Sequence, residues 1–182
     1  QPSKNNIPSL VAVPKAGQGA GFLGIRYAAL ETNSSPNFGD PFSVRGISLG
    51  GGIGVDEVKR RQSLLRKLDR RFAELEKSNQ LLEGLDKFGE QAYSMITSAE
   101  AREAFDISQE PESFAKQFGE DSFGQSCMLA LRLVESGVRL VSVQLGGWDT
   151  HTDNFTKLKD TNLPKLDAGL SGLLTGLEQR GL

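Results

Sequence analysis

The sequence predicts an α/β fold, on three observations. An apolar-periodic run over residues 122–136 reads as a helix and stops at Gly137. Residues 138–145, Val-Arg-Leu-Val-Ser-Val-Gln-Leu, follow at once, rich in β-branched side chains and too short for another helix. Two glycines end that segment, and a further helical pattern begins with Phe155 and Leu158. Helix, strand, loop, helix is the repeating unit of layered α/β domains.

The other elements follow in chain order. Residues 10–13 alternate apolar and small side chains before Pro14 and read as a short strand or extended segment. Gly17 to Gly24 is glycine-dense, residues 25–30 form a short apolar segment, and Asn33-Ser34-Ser35-Pro36-Asn37 is turn chemistry. Residues 42–44 read as another extended piece, and Gly50-Gly51-Gly52-Ile53-Gly54 as a joint. A long helix is expected over 56–77 with Asp56 as N-cap. Its apolar stripe is Val58, Leu65, Leu68, Phe72 and Leu75, with Lys59, Arg60, Arg66, Lys67, Arg70 and Arg71 lying away from it. A second helix is expected over 82–96. Thr97 and Glu100 have the spacing of a capping box for a third, ending near Phe105. Pro111 suits a first helical position, and Gly119 ends that short helix. The last helix carries Phe155, Leu158, Leu163, Leu166, Leu170, Leu173, Leu174 and Leu177, with Pro164 as a kink or restart.

Composition bounds the function. The chain has 182 residues, enough for one domain with a real core. Its 21 basic and 23 acidic residues give a net charge of −2, which argues against a nucleic-acid-binding surface. No apolar run approaches the roughly 20 residues of a membrane span. Cys127 stands alone in an apolar run and reads as a buried small hydrophobe. The chain starts at Gln1 without a basic-then-apolar leader and closes on the helix stop Arg180-Gly181-Leu182. Both ends read as those of an excerpt, the first equally as a processed terminus. The expected organisation is the central part of a single domain. About 1–54 would be loop-rich, 55–120 helical, and 121–182 a helix-strand-loop-helix unit carrying the site.

That site is expected in the loop Gly146-Gly147-Trp148-Asp149-Thr150-His151, after what reads as a buried strand. In open α/β sheets ligands gather at the carboxyl ends of strands. Asp149, His151, Asp153 and Asn154 cluster there, behind glycines that admit close backbone approach. A carboxylate oxygen with an imidazole nitrogen is a common pairing for a divalent metal such as zinc or manganese. The same pair could serve a general base. The plainer alternative has Asp149 or Asp153 capping the next helix while His151 and Trp148 pack locally.

Two glycine motifs carry less. Gly19-Ala20-Gly21-Phe22-Leu23-Gly24 is a literal G-x-G-x-x-G, but a dinucleotide fold needs a long helix starting at those glycines. The segment after it breaks at Asn33-Ser34-Ser35-Pro36, so a structural loop is expected. Residues 49–54 lack the Gly-Lys-Ser/Thr ending of a P-loop and read as a hinge.

The stretch Gly137-Val138-Arg139-Leu140-Val141-Ser142-Val143-Gln144-Leu145-Gly146-Gly147-Trp148-Asp149-Thr150-His151 resembles a bacterial family catalogued as domain of unknown function 1501. Matching stretches recur in the expected order. They are Val13-Pro14-Lys15, Gly21-Phe22-Leu23-Gly24 with Tyr27, Ala104-Phe105-Asp106, Phe123-Gly124-Gln125-Ser126 and Leu163-Pro164-Lys165-Leu166-Asp167. The family looks like a branch of the alkaline phosphatase and sulfatase superfamily. The resemblance implies a three-layer α/β/α fold, export, in this family often with a twin-arginine leader, and metal-dependent hydrolase ancestry. It places Asp149 and His151 at a position like that of superfamily metal ligands. The family's early Gly-Gly-Pro-Ser segment and later Glu-Phe-Gly-Arg-Thr-Pro and Asp-His-Trp segments are absent, which reads as an internal fragment lacking several ligands and inactive alone. Cys127 precedes Met128-Leu129-Ala130, not the Pro and Arg of a sulfatase nucleophile.

The expectation is a metal-dependent hydrolase of phosphate or sulfate esters when intact, acting on a small anionic substrate. A divalent ion held by Asp149 and His151 would polarise an ester oxygen. His151 would bind as neutral imidazole, so affinity would fall as pH drops through its titration. Trp148, Asn154, Phe22 and Gly24 would line the substrate pocket, and no nucleophile can be named. Two rivals come from other classes. One is a non-catalytic binding or scaffold protein using the Val58 to Leu75 helix face for a partner, favoured if that face is bare. The other is a nucleotide-binding enzyme using Gly19 to Gly24, which needs a long helix from Gly21.

Overall fold

The computed structural model describes residues 7–24, 27–44, 47, 54–73 and 93–182. Three short strands form a parallel sheet: β1 (Leu10–Val13), β2 (Leu30–Glu31) and β3 (Leu140–Val143), in the order β2-β1-β3. Val11 pairs with Leu30 on one side of β1, and Leu10 through Val13 pair with Leu140 through Val143 on the other. The mixed α/β class is as the sequence predicted.

Four longer helices accompany the sheet: α1 (Val55–Ala73), α2 (Ala99–Phe105), α3 (Ser122–Glu135) and α4 (Leu163–Arg180). The central one is α3. It buries nine residues, from Gly124 through Leu131 and again Leu133, so it is enclosed nearly all round. Asp121 caps its start, accepting from the backbone N–H groups of Phe123 (2.9 Å) and Gly124 (3.2 Å). At its end Gly137 takes φ +92°, its N–H donates to Val134 O, and Val138 N–H donates to Leu133 O. That pair of bonds is the Schellman stop the sequence led us to expect.

The core lies where α3 meets the sheet. Val11, Val13, Val141 and Val143 share one sheet face and join Met128, Leu129, Leu131 and Leu133. Each fully buried leucine there contributes about 2 kcal/mol. On its other side α3 takes α4, which also packs on the 3-10 turn Lys116–Phe118.

Several expectations shift. The strand before the loop is not buried: Leu140 is 60% exposed, and only Val141 and Val143 face the core. Among the described residues β3 has one neighbouring strand, and the Leu140 and Ser142 side chains on its outer face are exposed. Residues 42–44, expected to be extended, form no strand and pair with none among the described residues. Asp56 lies inside the first turn of α1, where with Glu57 it faces the helix dipole favourably. The cap of α2 is Ser98, one residue past Thr97: Ser98 Oγ accepts from Ala101 N–H at 3.1 Å. Thr97 is still helical, and its hydroxyl is turned back to donate to Tyr93 O rather than forward to the N–H groups of α2. Of the helix expected over 82–96, residues 93–96 are helical, as is Thr97; the earlier part lies outside the described residues. Val58 is buried, whereas the stripe positions Leu65, Leu68, Phe72 and Leu75 have side chains outside the described set.

The packed face of α4 is also not the one its leucines suggested. Leu163, Leu170 and Leu174 are roughly half exposed, while Gly169, Gly172 and Gly176 are buried. A Cβ at Gly169 would stand 2.7 Å from the Phe123 ring, at Gly172 2.7 Å from Gln117 O, and at Gly176 2.7 Å from Leu131. Helix α4 therefore approaches through its missing side chains, with Leu166, Leu173 and Leu177 flanking the seam.

Candidate functional site

The loop leaves the carboxyl end of β3 and reaches a short helix, Asn154–Lys157. Gly147 takes φ +84°, a backbone turn that a side chain would strain. That turn is held from below: Asn162 Nδ2 donates to Gly147 O at 2.7 Å, and Asn162 is buried. Trp148 lies 42% exposed, its indole N–H donating to Leu145 O at 2.9 Å. This fixes the ring while leaving part of its surface open.

Asp149 and His151 converge. Asp149 Oδ2 lies 3.3 Å from His151 Nε2, and both side chains stand in solvent, 86% and 85% exposed. A pair so exposed stabilises the fold by little. Neither Asp149 nor Asp153 supplies a side-chain cap to the following helix. Asp153 occupies the cap position in the left-handed region, φ +52°, with no side-chain cap bond. A non-glycine residue there stores about 1 kcal/mol of strain or more. The plain capping role is thus unfilled, and the two loop groups face each other instead.

The remaining expected residues are placed as follows. Asn154 Oδ1 accepts from Thr150 Oγ1 at 2.5 Å, closing the loop onto its helix. Phe22 is 99% exposed and a Cβ at Gly24 would meet nothing within 4 Å, so neither is packed against the loop. Around them Gly21–Leu23 is a single 3-10 turn closing at Gly24 (φ +80°), not the start of a long helix. Asn162 was missed by sequence reasoning. Its signal was an amide inside an apolar helical run, two residues before a proline.

The donor set fits part of a cation site. Two ligands at about 2.0–2.2 Å from a tetrahedral metal lie about 3.4 Å apart, close to the observed separation. A closed site needs more ligands, and among the described residues no group of three or more His, Cys, Asp or Glu gathers. Cys127 cannot assist. It is buried, and burial first, with the charge of Asp121 second, pushes its thiol up to about 12.

No described helix is long and apolar enough to cross a membrane. A family model described as protein of unknown function (DUF1501) matches residues 1–182. No curated protein and no solved structure matches the chain.

Proposed function

The chain belongs to the DUF1501 family, and on that premise we propose that the intact protein is an exported, metal-dependent hydrolase of phosphate or sulfate esters. In this reading the small parallel sheet is part of a three-layer α/β/α domain of the alkaline phosphatase and sulfatase kind. Asp149 and His151 hold one side of a divalent cation, and Trp148 offers its open face to substrate. The observation that carries it is the meeting of carboxylate and imidazole at 3.3 Å on an exposed loop at a strand's carboxyl end. When bound, the cation would supply Lewis-acid polarisation of the ester oxygen. The chain's own share is to present one hard oxygen and one neutral imidazole nitrogen, with Asn162 and Thr150 fixing the loop that bears them. The nucleophile is unassigned.

His151 is the only histidine, so its ring protons are a unique probe. Zinc chloride titrated into the chain should shift the imidazole Cε1–H resonance saturably. Asp149→Ala should weaken that response about tenfold, the loss of one ligand from a two-ligand site. An imidazole signal indifferent to millimolar zinc, or equally responsive without Asp149, would overturn the metal assignment. For the intact protein, metal content with and without His151→Ala and release of p-nitrophenol from its phosphate and sulfate esters test the reaction itself.

A further inference from the structure

A second feature stands apart from the loop. Residues 38–42, the turn around Asp106 and the start of α3 line a half-open pocket of about 640 Å³, the size of small-molecule sites. Phe38, Pro41, Phe42, Ile107, Ala115 and Met128 make its wall largely apolar.

Four carboxylates also line it: Asp40, Asp106, Glu110 and Glu112. Two of them are matched within the fold. Glu110 pairs with Arg132 and Arg180, and Glu112 pairs with Lys116 at 2.6 Å. Asp40 and Asp106 make no ion pair among the described residues. Asp106 stays ionised all the same. Partial burial pushes its carboxyl up, but donors on Ser108 and Gln109 and the charge of Arg132 outweigh this and hold it below the ordinary value. An aromatic wall here already accepts a cation, since the Lys116 ammonium lies 5.8 Å from the Phe38 ring centroid.

An empty packing defect would be apolar throughout, and a solvated acidic patch would have no aromatic floor. The combination of an apolar wall with two carboxylates outside any described ion pair, Asp40 and the hydrogen-bonded Asp106, asks for an apolar body with a positive head. We propose that this cavity binds a small organic cation, an ammonium or amidinium on an apolar body. Its head pairs with Asp40 and Asp106 and its body packs against Phe38 and Phe42.

The test uses three probes of one shape: benzamidine, neutral benzyl alcohol and anionic benzoate, each titrated into the chain and followed by amide NMR. Benzamidine should saturate with shifts centred on residues 38–42 and 106–108, and benzoate should not bind. Benzyl alcohol should bind about tenfold more weakly, the equivalent of about 1.4 kcal/mol. Asp40→Asn should weaken benzamidine about fivefold and leave benzyl alcohol unchanged, while Phe42→Ala should weaken both. Asp40 is the cleaner acidic variant because Asp106 also accepts from Ser108 N–H and so holds its turn. Asp149→Ala should have no effect, which separates this cavity from the candidate metal loop. The proposal is overturned if benzyl alcohol matches benzamidine, if Asp40→Asn binds benzamidine unchanged, or if no probe saturates.

Discussion

Gly124→Ala sets helix propensity against backbone packing, and the geometry says which wins. Gly124 lies in the first turn of α3, directly over the Phe118–Gly119 backbone. A Cβ there would stand 1.8 Å from Phe118 O, 2.8 Å from Phe118 C and 3.2 Å from Gly119 O. All three are main-chain atoms, so no rotamer change relieves the clash. Helix and turn must part by more than about 1 Å to reach ordinary carbon–oxygen contact. Gln125 bridges the same gap, its Nε2 donating to Ala115 O (3.1 Å) and Gly119 O (2.7 Å). Alanine gains about 1 kcal/mol over glycine as a helix former. Against this stand about 3 kcal/mol of overpacking, the upper part of the usual range, and about 1 kcal/mol from two stretched hydrogen bonds. The expected result is a loss of about 3 kcal/mol, a Tm lower by about 6–12 °C for a chain of this size. Urea titration by circular dichroism measures it, with the m-value unchanged if only the native state is strained. A variant as stable as the parent, or more so, would show that α3 and the turn do not approach this closely in solution.

The remaining expectations use the same core. Because burial raises the Cys127 thiol to about 12, Ellman's reagent at pH 8 should label the native chain about a hundredfold more slowly than the urea-unfolded chain. The sign of its pH linkage follows: the folded value exceeds the unfolded value of about 8.5, so this stabilisation is whole below that pH and is lost as pH climbs toward the folded value. Urea midpoints should fall across that alkaline window, and Cys127→Ala should flatten the fall. Glu110→Ala leaves Arg132 and Arg180 facing each other without the carboxylate between them, and its side chain is only 6% exposed. Removing one partner of such a buried pair should cost about 3 kcal/mol, read by urea denaturation, with Glu110→Gln recovering part. Asn162→Ala should speed hydrogen exchange of residues 146–150 by about tenfold, one lost hydrogen bond, without changing exchange in α4.

Much of the fold was legible where the signal was local. Gly137 and Gly119 stop their helices because a left-handed turn admits glycine freely, and that requirement is written in the residue itself. Pro111 marks the start of a helix for a similarly local reason, although it stands at the cap position, one residue before the first helical residue Glu112. The cap of α2 slipped by one residue because two hydroxyls, Thr97 and Ser98, stand side by side. Which one faces forward depends on where the previous helix ends. The exposure of β3 was hidden because a β-branched run looks the same whether one face is covered or two. The face of α4 was hidden for the opposite reason. Periodicity counts leucines, yet the closest approach is made through Gly169, Gly172 and Gly176, whose packing shows only once Phe118 and Phe123 are in place. At the candidate site, the pairing of Asp149 with His151 was readable from their spacing. The lack of any described wall from Phe22 was not, since it depends on where a distant loop comes to rest.

The buried amide beneath that loop follows from a proline. A regular α-helix running into Pro164 would meet a ring that clashes with the carbonyl four residues back and a position with no N–H to give. The chain answers with a π turn over Leu158–Asn162, wider by one residue, and α4 then starts with Pro164 in its first turn, where no such bond is needed. The wider turn changes the phase of the helix. Asn162 points inward while its neighbours Thr161 and Leu163 stay exposed. Turned that way it reaches Gly147 O, and Gly147 is the residue whose left-handed φ sends the chain toward Trp148 and Asp149. The glycine seam sets how near α4 lies to α3, and the π turn brings its own last residue, Asn162, round to the loop. Two solvent-exposed groups are thereby presented from a backbone fixed at its root, which is the condition for them to act together on one ligand.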